Sequence, residues 1–301
     1  MSRLDQLSGT FTALITPFDE NHEIDEEQLR SLVDFQVKNG VTGLVPMGTT
    51  GESATMSHYE HKRVVELVVE RAKSLPQKPF VLAGTGSNST REALELTRHA
   101  KETGADAALV ITPYYNRPTQ EGLVAHYSKI AEEVDLPIVM YNVPSRTGRN
   151  LEPDTVVRLA KLKNVVGVKE ASGNLDQITR IIRETPDDFV VMSGDDGMTF
   201  AVMALGGQGV ISVASNVVPR MVADLTDALA ANDLPRAREL HLRLYPLFKV
   251  LFVETNPGPV KYAAERLGIF KSRRMRLPMV PPTKGSCEKI EKVLADLGLL
   301  S

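Results

Sequence analysis

The sequence predicts an α/β protein whose eight parallel strands close into a (β/α)8 TIM barrel, followed by a C-terminal helical extension. Short β-branched or apolar runs recur about every 25 residues, each followed by an amphipathic stretch of helical length, as parallel strands with crossover helices require. Eight such runs can be counted, with no repeat left over. No G-x-G-x-x-G follows the first, which favours a closed barrel over an open doubly wound sheet.

In chain order the strands are expected at residues 10–16, 43–47, 80–84, 107–112, 138–142, 165–169, 189–193 and 209–213. Between them, helical patterns cover 25–38, 57–74, 90–103 and 120–134. Asp25 and Ser57 precede Gln28 and Glu60 by three residues, the capping-box spacing. Further helical segments at 235–252, 257–267 and 285–299 divide the chain into a barrel over 1–232 and an extension over 233–301. A single domain of this kind suits 301 residues.

Composition narrows the function. The 35 basic and 38 acidic residues leave a net charge of −3, which suggests neither nucleic acid nor an anionic membrane as partner. Cys287 is the single cysteine, so no intramolecular disulfide can form. The start Met-Ser-Arg-Leu-Asp-Gln lacks a secretory layout, and no apolar run approaches the roughly 18 residues of a membrane span. A cytoplasmic enzyme is the expectation.

Barrel chemistry sits at the C-terminal ends of strands. Lys169 ends the run Val165-Val166-Gly167-Val168, where its ammonium would face the barrel interior. Desolvation lowers an amine's pKa, and a lysine brought near roughly 7 to 8 can attack a ketone and form an iminium. The plainer alternative is a lysine that reaches solvent or pairs with Glu170. Tyr141 ends the neighbouring strand and could move protons at the carbonyl that Lys169 attacks, or be an ordinary buried tyrosine. Thr49 and Thr50, between Gly48 and Gly51, offer hydroxyls and approachable backbone N–H groups to a small carboxylate, or form a simple tight turn. Arg146, in the loop after Tyr141, could grip a second carboxylate bidentately, although most loop arginines are merely solvated. The six histidines show no ligand set at metal-binding spacing, and no phosphate-binding loop or nucleophile elbow is present. Cofactor-free catalysis is therefore expected.

With these residues in place, the chain resembles the family of dihydrodipicolinate synthases, N-acetylneuraminate lyases and 2-keto-sugar-acid aldolases. The resemblance runs from Gly9-Thr10-Phe11-Thr12-Ala13 to Asn256-Pro257-Gly258-Pro259-Val260-Lys261 and Arg276-Leu277-Pro278-Met279. It implies that Lys169 forms a Schiff base with pyruvate and that Tyr141, Thr50 and Tyr115 relay protons, Tyr115 being lent across a dimer interface. Thr49 and Thr50 would hold the pyruvate carboxylate. Arg146 would receive the carboxylate of L-aspartate 4-semialdehyde, while Gly194 and Ile211 line the pocket through backbone carbonyls. Tyr114-Tyr115-Asn116 and Ser145-Arg146-Thr147-Gly148 match the members that make 4-hydroxy-tetrahydrodipicolinate for diaminopimelate and lysine synthesis. Ser53, Ala54, His58, His61, Asn88, Glu92 and Tyr114 match positions where lysine-inhibited members bind L-lysine. A homotetramer built as a dimer of dimers is also implied. Gly258 stands where many relatives carry a larger apolar residue.

Two rivals share some of these features. Another pyruvate aldolase, cleaving a 2-keto-3-deoxy sugar acid or a sialic acid, would use the same lysine, but Arg146 selects a charged aldehyde. A non-catalytic sensor of amino or keto acids would have no need of Lys169 and Tyr141 together.

Overall fold

The computed structural model describes residues 3–300, which form a closed barrel in which each strand pairs in parallel with the next and β8 returns to β1. The barrel units are β1 (Gly9–Ala13), α1 (Glu26–Lys38), β2 (Gly43–Val45), α2 (His58–Ser74), β3 (Phe80–Gly84), α3 (Thr90–Thr103), β4 (Ala107–Ile111) and α4 (Gln120–Glu133). They continue with β5 (Ile138–Asn142), the one-turn α5 (Pro144–Thr147), α6 (Pro153–Leu159), β6 (Val165–Glu170), α7 (Leu175–Glu184), β7 (Val190–Ser193), α8 (Thr199–Ala204), β8 (Gly209–Ser212) and α9 (Pro219–Ala230). Helices α10 (Leu234–Val250), α11 (Gly258–Arg266) and α12 (Lys284–Asp296) follow.

The eight expected strands are all present, several of them shorter. The Leu14 N–H still reaches the Val45 carbonyl at 3.1 Å, but residues 15 and 16 leave the ladder because other groups take their polar atoms: the Ile15 N–H donates to Asn216 Oδ1 at 3.1 Å, and Thr16 Oγ1 donates to the Gly51 carbonyl at 2.7 Å. β2 stops before Pro46, which has no N–H for a ladder. At α2 the capping box is complete, with Ser57 and Glu60 each accepting from the other's backbone. The Asp25 box forms only by half. Asp25 accepts from the Gln28 N–H at 3.0 Å, but its own N–H donates to the Pro17 carbonyl, and the Gln28 amide returns to the Asp25 carboxylate instead.

Side chains alternate across each strand, so the core splits into two layers. Phe11, Phe80, Leu82, Leu109, Val139, Tyr141, Met192 and Ile211 fill the barrel interior. A larger layer, including Leu44, Val81, Val110, Met140, Val168 and Val210, lies between strands and helices. Leu240, Leu244, Leu247 and Phe248 of α10 join that outer layer, so α10 packs as one more helix on the barrel. A Cβ on Gly258 would meet Met275 and Pro282 at 3.5 Å, ordinary contact distance, so the small residue there relieves no clash.

Candidate active site

The strand register places the reactive groups together. Tyr141 on β5 pairs with Lys169 on β6, which pairs with Met192 on β7; Tyr141 and Met192 both belong to the inner layer, and Lys169 points the same way. Its Nζ stands 4.2 Å from the centroid of the Tyr141 ring. Space for it comes from Gly194, where an added Cβ would lie 2.7 Å from Ala171 Cβ and 3.1 Å from Lys169 Cε. Any side chain at 194 would displace the lysine.

Electrostatics follow from burial. Lys169 is 7% exposed and takes part in no ion pair among the described residues. Desolvation drives its pKa down to about 7; the Asp196 carboxylate offsets part of this, and the Arg146 guanidinium adds to it. Burial raises the Tyr141 phenol, while the Arg146 charge and a hydrogen bond with Thr49 pull it back. The amine can thus be neutral near pH 7 while the phenol stays protonated, a nucleophile beside a proton donor.

A cavity of about 700 Å³ surrounds these groups, and Thr49, Thr50, Tyr141, Arg146, Lys169 and Gly194 all line it. Ile211 is buried in the inner layer on β8, and the wall there is Val213 instead. The two threonines differ. Thr49 meets the Tyr141 hydroxyl, whereas Thr50 Oγ1 accepts from Asn256 Nδ2 at 2.9 Å. Thr50 was expected to join Tyr141 in the relay; in this chain the hydroxyl that acts on the Tyr141 phenol is that of Thr49, and Thr50 Oγ1 is turned to Asn256. Tyr115 is 90% exposed with φ +70°, so within this chain it does not reach the cavity.

A second cavity, of about 400 Å³, lies alongside. Its wall includes Ser53, Ala54, His58, His61, Glu92 and Tyr114, and it shares Gly48, Thr49, Tyr141 and Arg146 with the first. His61 is buried, and burial lowers its pKa to about 4, so the ring is neutral at pH 7. Its Nε2–H donates to the Gly84 carbonyl at 2.7 Å, which leaves Nδ1 as an acceptor. Glu92 accepts from Ser87 Oγ at 2.8 Å. Asn88 stands apart from this wall; its carbonyl accepts from the Asn116 amide at 2.9 Å.

Three groups escaped the sequence reading. Asn256 lines the first cavity and holds Thr50 through Nδ2, while its buried Oδ1 has no partner. Asp196 is buried in the turn after β7 and accepts from Ser212 Oγ and from the Val213 and Ala214 N–H groups at 3.0 and 3.1 Å. Glu52, at φ +60° just after the Thr49–Gly51 turn, is ion-paired with Lys261 of α11. The pairing of Ser-Gly-Asp-Asp at a strand end was the available signal for Asp196. Nothing local signals Asn256 or Lys261, because their partners lie some two hundred residues earlier. Among the described residues no group of three or more His, Cys, Asp or Glu side chains could hold a metal ion, and no helix is long and apolar enough to cross a membrane.

A parallel barrel with a desolvated lysine facing a tyrosine in an interior cavity defines an enzyme of the class I aldolase type. The chain belongs to the dihydrodipicolinate synthetase family, which matches residues 6–297. A 4-hydroxy-tetrahydrodipicolinate synthase from Syntrophus aciditrophicus is 53% identical over 292 residues, covering 97% of this chain and 99% of that one. The chloride-inhibited dihydrodipicolinate synthase from Acinetobacter baumannii, solved complexed with pyruvate, superposes with a TM-score of 0.94 at 41% identity, over 97% and 99% of the two chains. The enzyme from Cyanidioschyzon merolae with lysine bound gives 0.94 at 38% identity, over 98% and 99%.

Proposed function

We propose that this protein is a lyase that condenses pyruvate with L-aspartate 4-semialdehyde to give 4-hydroxy-tetrahydrodipicolinate, using Lys169 as nucleophile and no cofactor. The observation that carries the reading is the buried amine of Lys169, without an ion pair among the described residues, lowered to about 7 and set against Tyr141 in a cavity of about 700 Å³. The neutral amine attacks the ketone carbon of pyruvate; the carbinolamine loses water with a proton supplied through Tyr141, leaving an iminium. That cation acidifies the pyruvate methyl group, and the resulting enamine carbon adds to the aldehyde. The amino group of the semialdehyde then displaces Lys169 and closes the ring.

Thr49 is the hydroxyl we assign to the relay beside Tyr141, because the two are in contact. Thr50, held by Asn256 Nδ2 on its lone-pair side, keeps its hydrogen for the pyruvate carboxylate, with the turn's backbone N–H groups beside it. Arg146 on the cavity wall suits the carboxylate of the semialdehyde. Tyr115 completes the relay from a neighbouring copy: its aromatic ring is 90% exposed on a left-handed backbone, a poor arrangement for a residue serving its own chain. Sharing Tyr115 in this way needs a dimer, and the resemblance to the family implies a homotetramer formed as a dimer of dimers.

The second cavity suits L-lysine as a feedback effector. Glu92 can hold an ammonium and His61 Nδ1 can accept from one, while Tyr141 in the common wall connects it to the chemistry. In this reading residues 233–301 serve the site as well as the fold, since they bring Asn256 to Thr50. A cytoplasmic location fits the single cysteine.

Borohydride trapping with pyruvate, followed by peptide mapping, tests the mechanism, and turnover of the semialdehyde with and without lysine tests substrate and effector. An adduct on Lys169 with turnover is expected. An adduct without turnover would redirect the assignment to a sugar-acid aldolase, and no adduct would remove the Schiff base.

A further inference from the structure

Besides Lys169, the larger cavity has two cations on its wall, Arg146 on α5 and Lys249 near the end of α10. Both are exposed, and neither side chain makes a hydrogen bond or ion pair among the described residues. The two acids on the same wall are already engaged. Asp195 Oδ1 accepts from the Gly197 N–H at 2.8 Å, and Glu254 Oε1 accepts from Thr283 N and Oγ1 at 3.0 and 2.6 Å. Both acids keep their charge, and Asp195 Oδ1 and Lys249 Nζ both lie near Gly197, at 3.3 and 3.4 Å from a Cβ placed there, yet among the described residues neither acid forms an ion pair with Arg146 or Lys249.

Lys249 is also held in place. Its Nζ lies 5.1 Å from the centroid of the Tyr245 ring, a contact that steadies the side chain and leaves its three N–H donors available. Gly197 keeps the neighbouring space open, since a Cβ there would come within 3.4 Å of Nζ. Lys169 is buried and Lys249 exposed, so of the two cavity lysines Lys249 is the one that solvent reaches.

We infer that Lys249 is a substrate-recruiting residue that takes the carboxylate of the incoming aldehyde acid at the mouth and delivers it to Arg146. The inference rests on the reading of the second substrate given above. An exposed cation of this kind contributes little to binding in water, but it steers an anion into a cleft, and the steering weakens as salt screens it. Lys249 thus acts on encounter and selectivity, while Lys169 and Tyr141 carry the bond-making steps.

The test compares the full-length wild type with Lys249→Ala, Lys249→Arg and Lys249→Glu. For Lys249→Ala, kcat/KM for aspartate semialdehyde is expected to fall by roughly three- to tenfold at low salt, with a larger fall for Lys249→Glu and near-normal values for Lys249→Arg. The decline of kcat/KM with ionic strength should flatten in Lys249→Ala, a change that a merely structural role would not produce. Saturated kcat and pyruvate trapping at saturating pyruvate should match the wild type. Unchanged kcat/KM and salt dependence in both charge-removing variants would overturn the inference, as would a parallel loss of pyruvate trapping. A wild type that traps pyruvate yet ignores the semialdehyde defeats the functional reading and this inference with it, an outcome distinct from failure of the variants in an active enzyme.

Discussion

Among the described residues two lysines are buried, Lys169 at 7% and Lys261 at 0% exposure, and each places its Nζ over an aromatic ring, Tyr141 at 4.2 Å and Phe18 at 4.3 Å. Desolvation is the largest influence on both, lowering them to about 7 and about 8. What separates them is company. Lys261 is ion-paired with Glu52 and donates to the Arg274 carbonyl at 2.7 Å; Lys169 has no such partner. A buried amine with a carboxylate in contact keeps its proton and holds two segments together. One without is left neutral, uncomfortable and nucleophilic.

The sharpest way to break this comparison is to remove each amine. Lys169→Ala should abolish both the trapped pyruvate adduct and turnover while leaving thermal unfolding no lower than the wild type's, because no paired charge is orphaned. Lys261→Met should do the reverse: stability to urea falls by about 3–5 kcal/mol, since the Glu52 carboxylate is left buried alone, and the folded fraction still forms the adduct. Equal destabilisation by the two substitutions would end the distinction.

Next in size is the proton relay. Tyr141→Phe should lower kcat by about 10²- to 10⁴-fold with the adduct still forming slowly. Thr49→Val should also act mainly on kcat, whereas Thr50→Val should raise the KM for pyruvate; a kcat loss confined to Thr50→Val would return the relay role to Thr50.

The pH dependence sharpens the comparison further. Adduct formation under single-turnover conditions should decline as pH falls through about 7, where the Lys169 amine takes up its proton. Stability carries the same signature. With a folded pKa of about 7 against the ordinary lysine value of 10.5, the unfolded chain binds the extra proton between those limits, so this group makes stability rise with pH across that window. Urea titrations of Lys169→Met between pH 7 and 10 should show a flatter dependence than the wild type. The smallest expected effect belongs to Asn256→Ala: losing one hydrogen bond to Thr50, of about 0.5–1.5 kcal/mol, should raise the KM for pyruvate by roughly two- to tenfold with kcat little changed.

The barrel was legible because its signal is periodic: eight apolar runs followed by eight helical stretches survive errors at every boundary. The boundaries themselves drifted where side chains or proline took over from the ladder, as at residues 15 and 16 and at Pro46. Lys169 was legible from its place at a strand end, and its lone burial was the physical reason to single it out. The different surroundings of Thr49 and Thr50 were not, since adjacent hydroxyls on a tight turn meet different neighbours, Tyr141 for the one and Asn256 for the other. Glu52 and Lys261 were beyond reach for a similar reason: a pairing across 209 residues leaves no local pattern.

Thr49, Tyr141 and Arg146 form a party wall between two rooms. An engineer wishing to silence an occupant of the smaller room without dimming the larger has to leave that wall alone and alter the private furnishings, Glu92 and His58. Conversely, a synthetic compound that grips the common wall from the outer side would reach the reaction without competing for the pyruvate position, and substitutions selected to escape it there would tend to impair the enzyme itself.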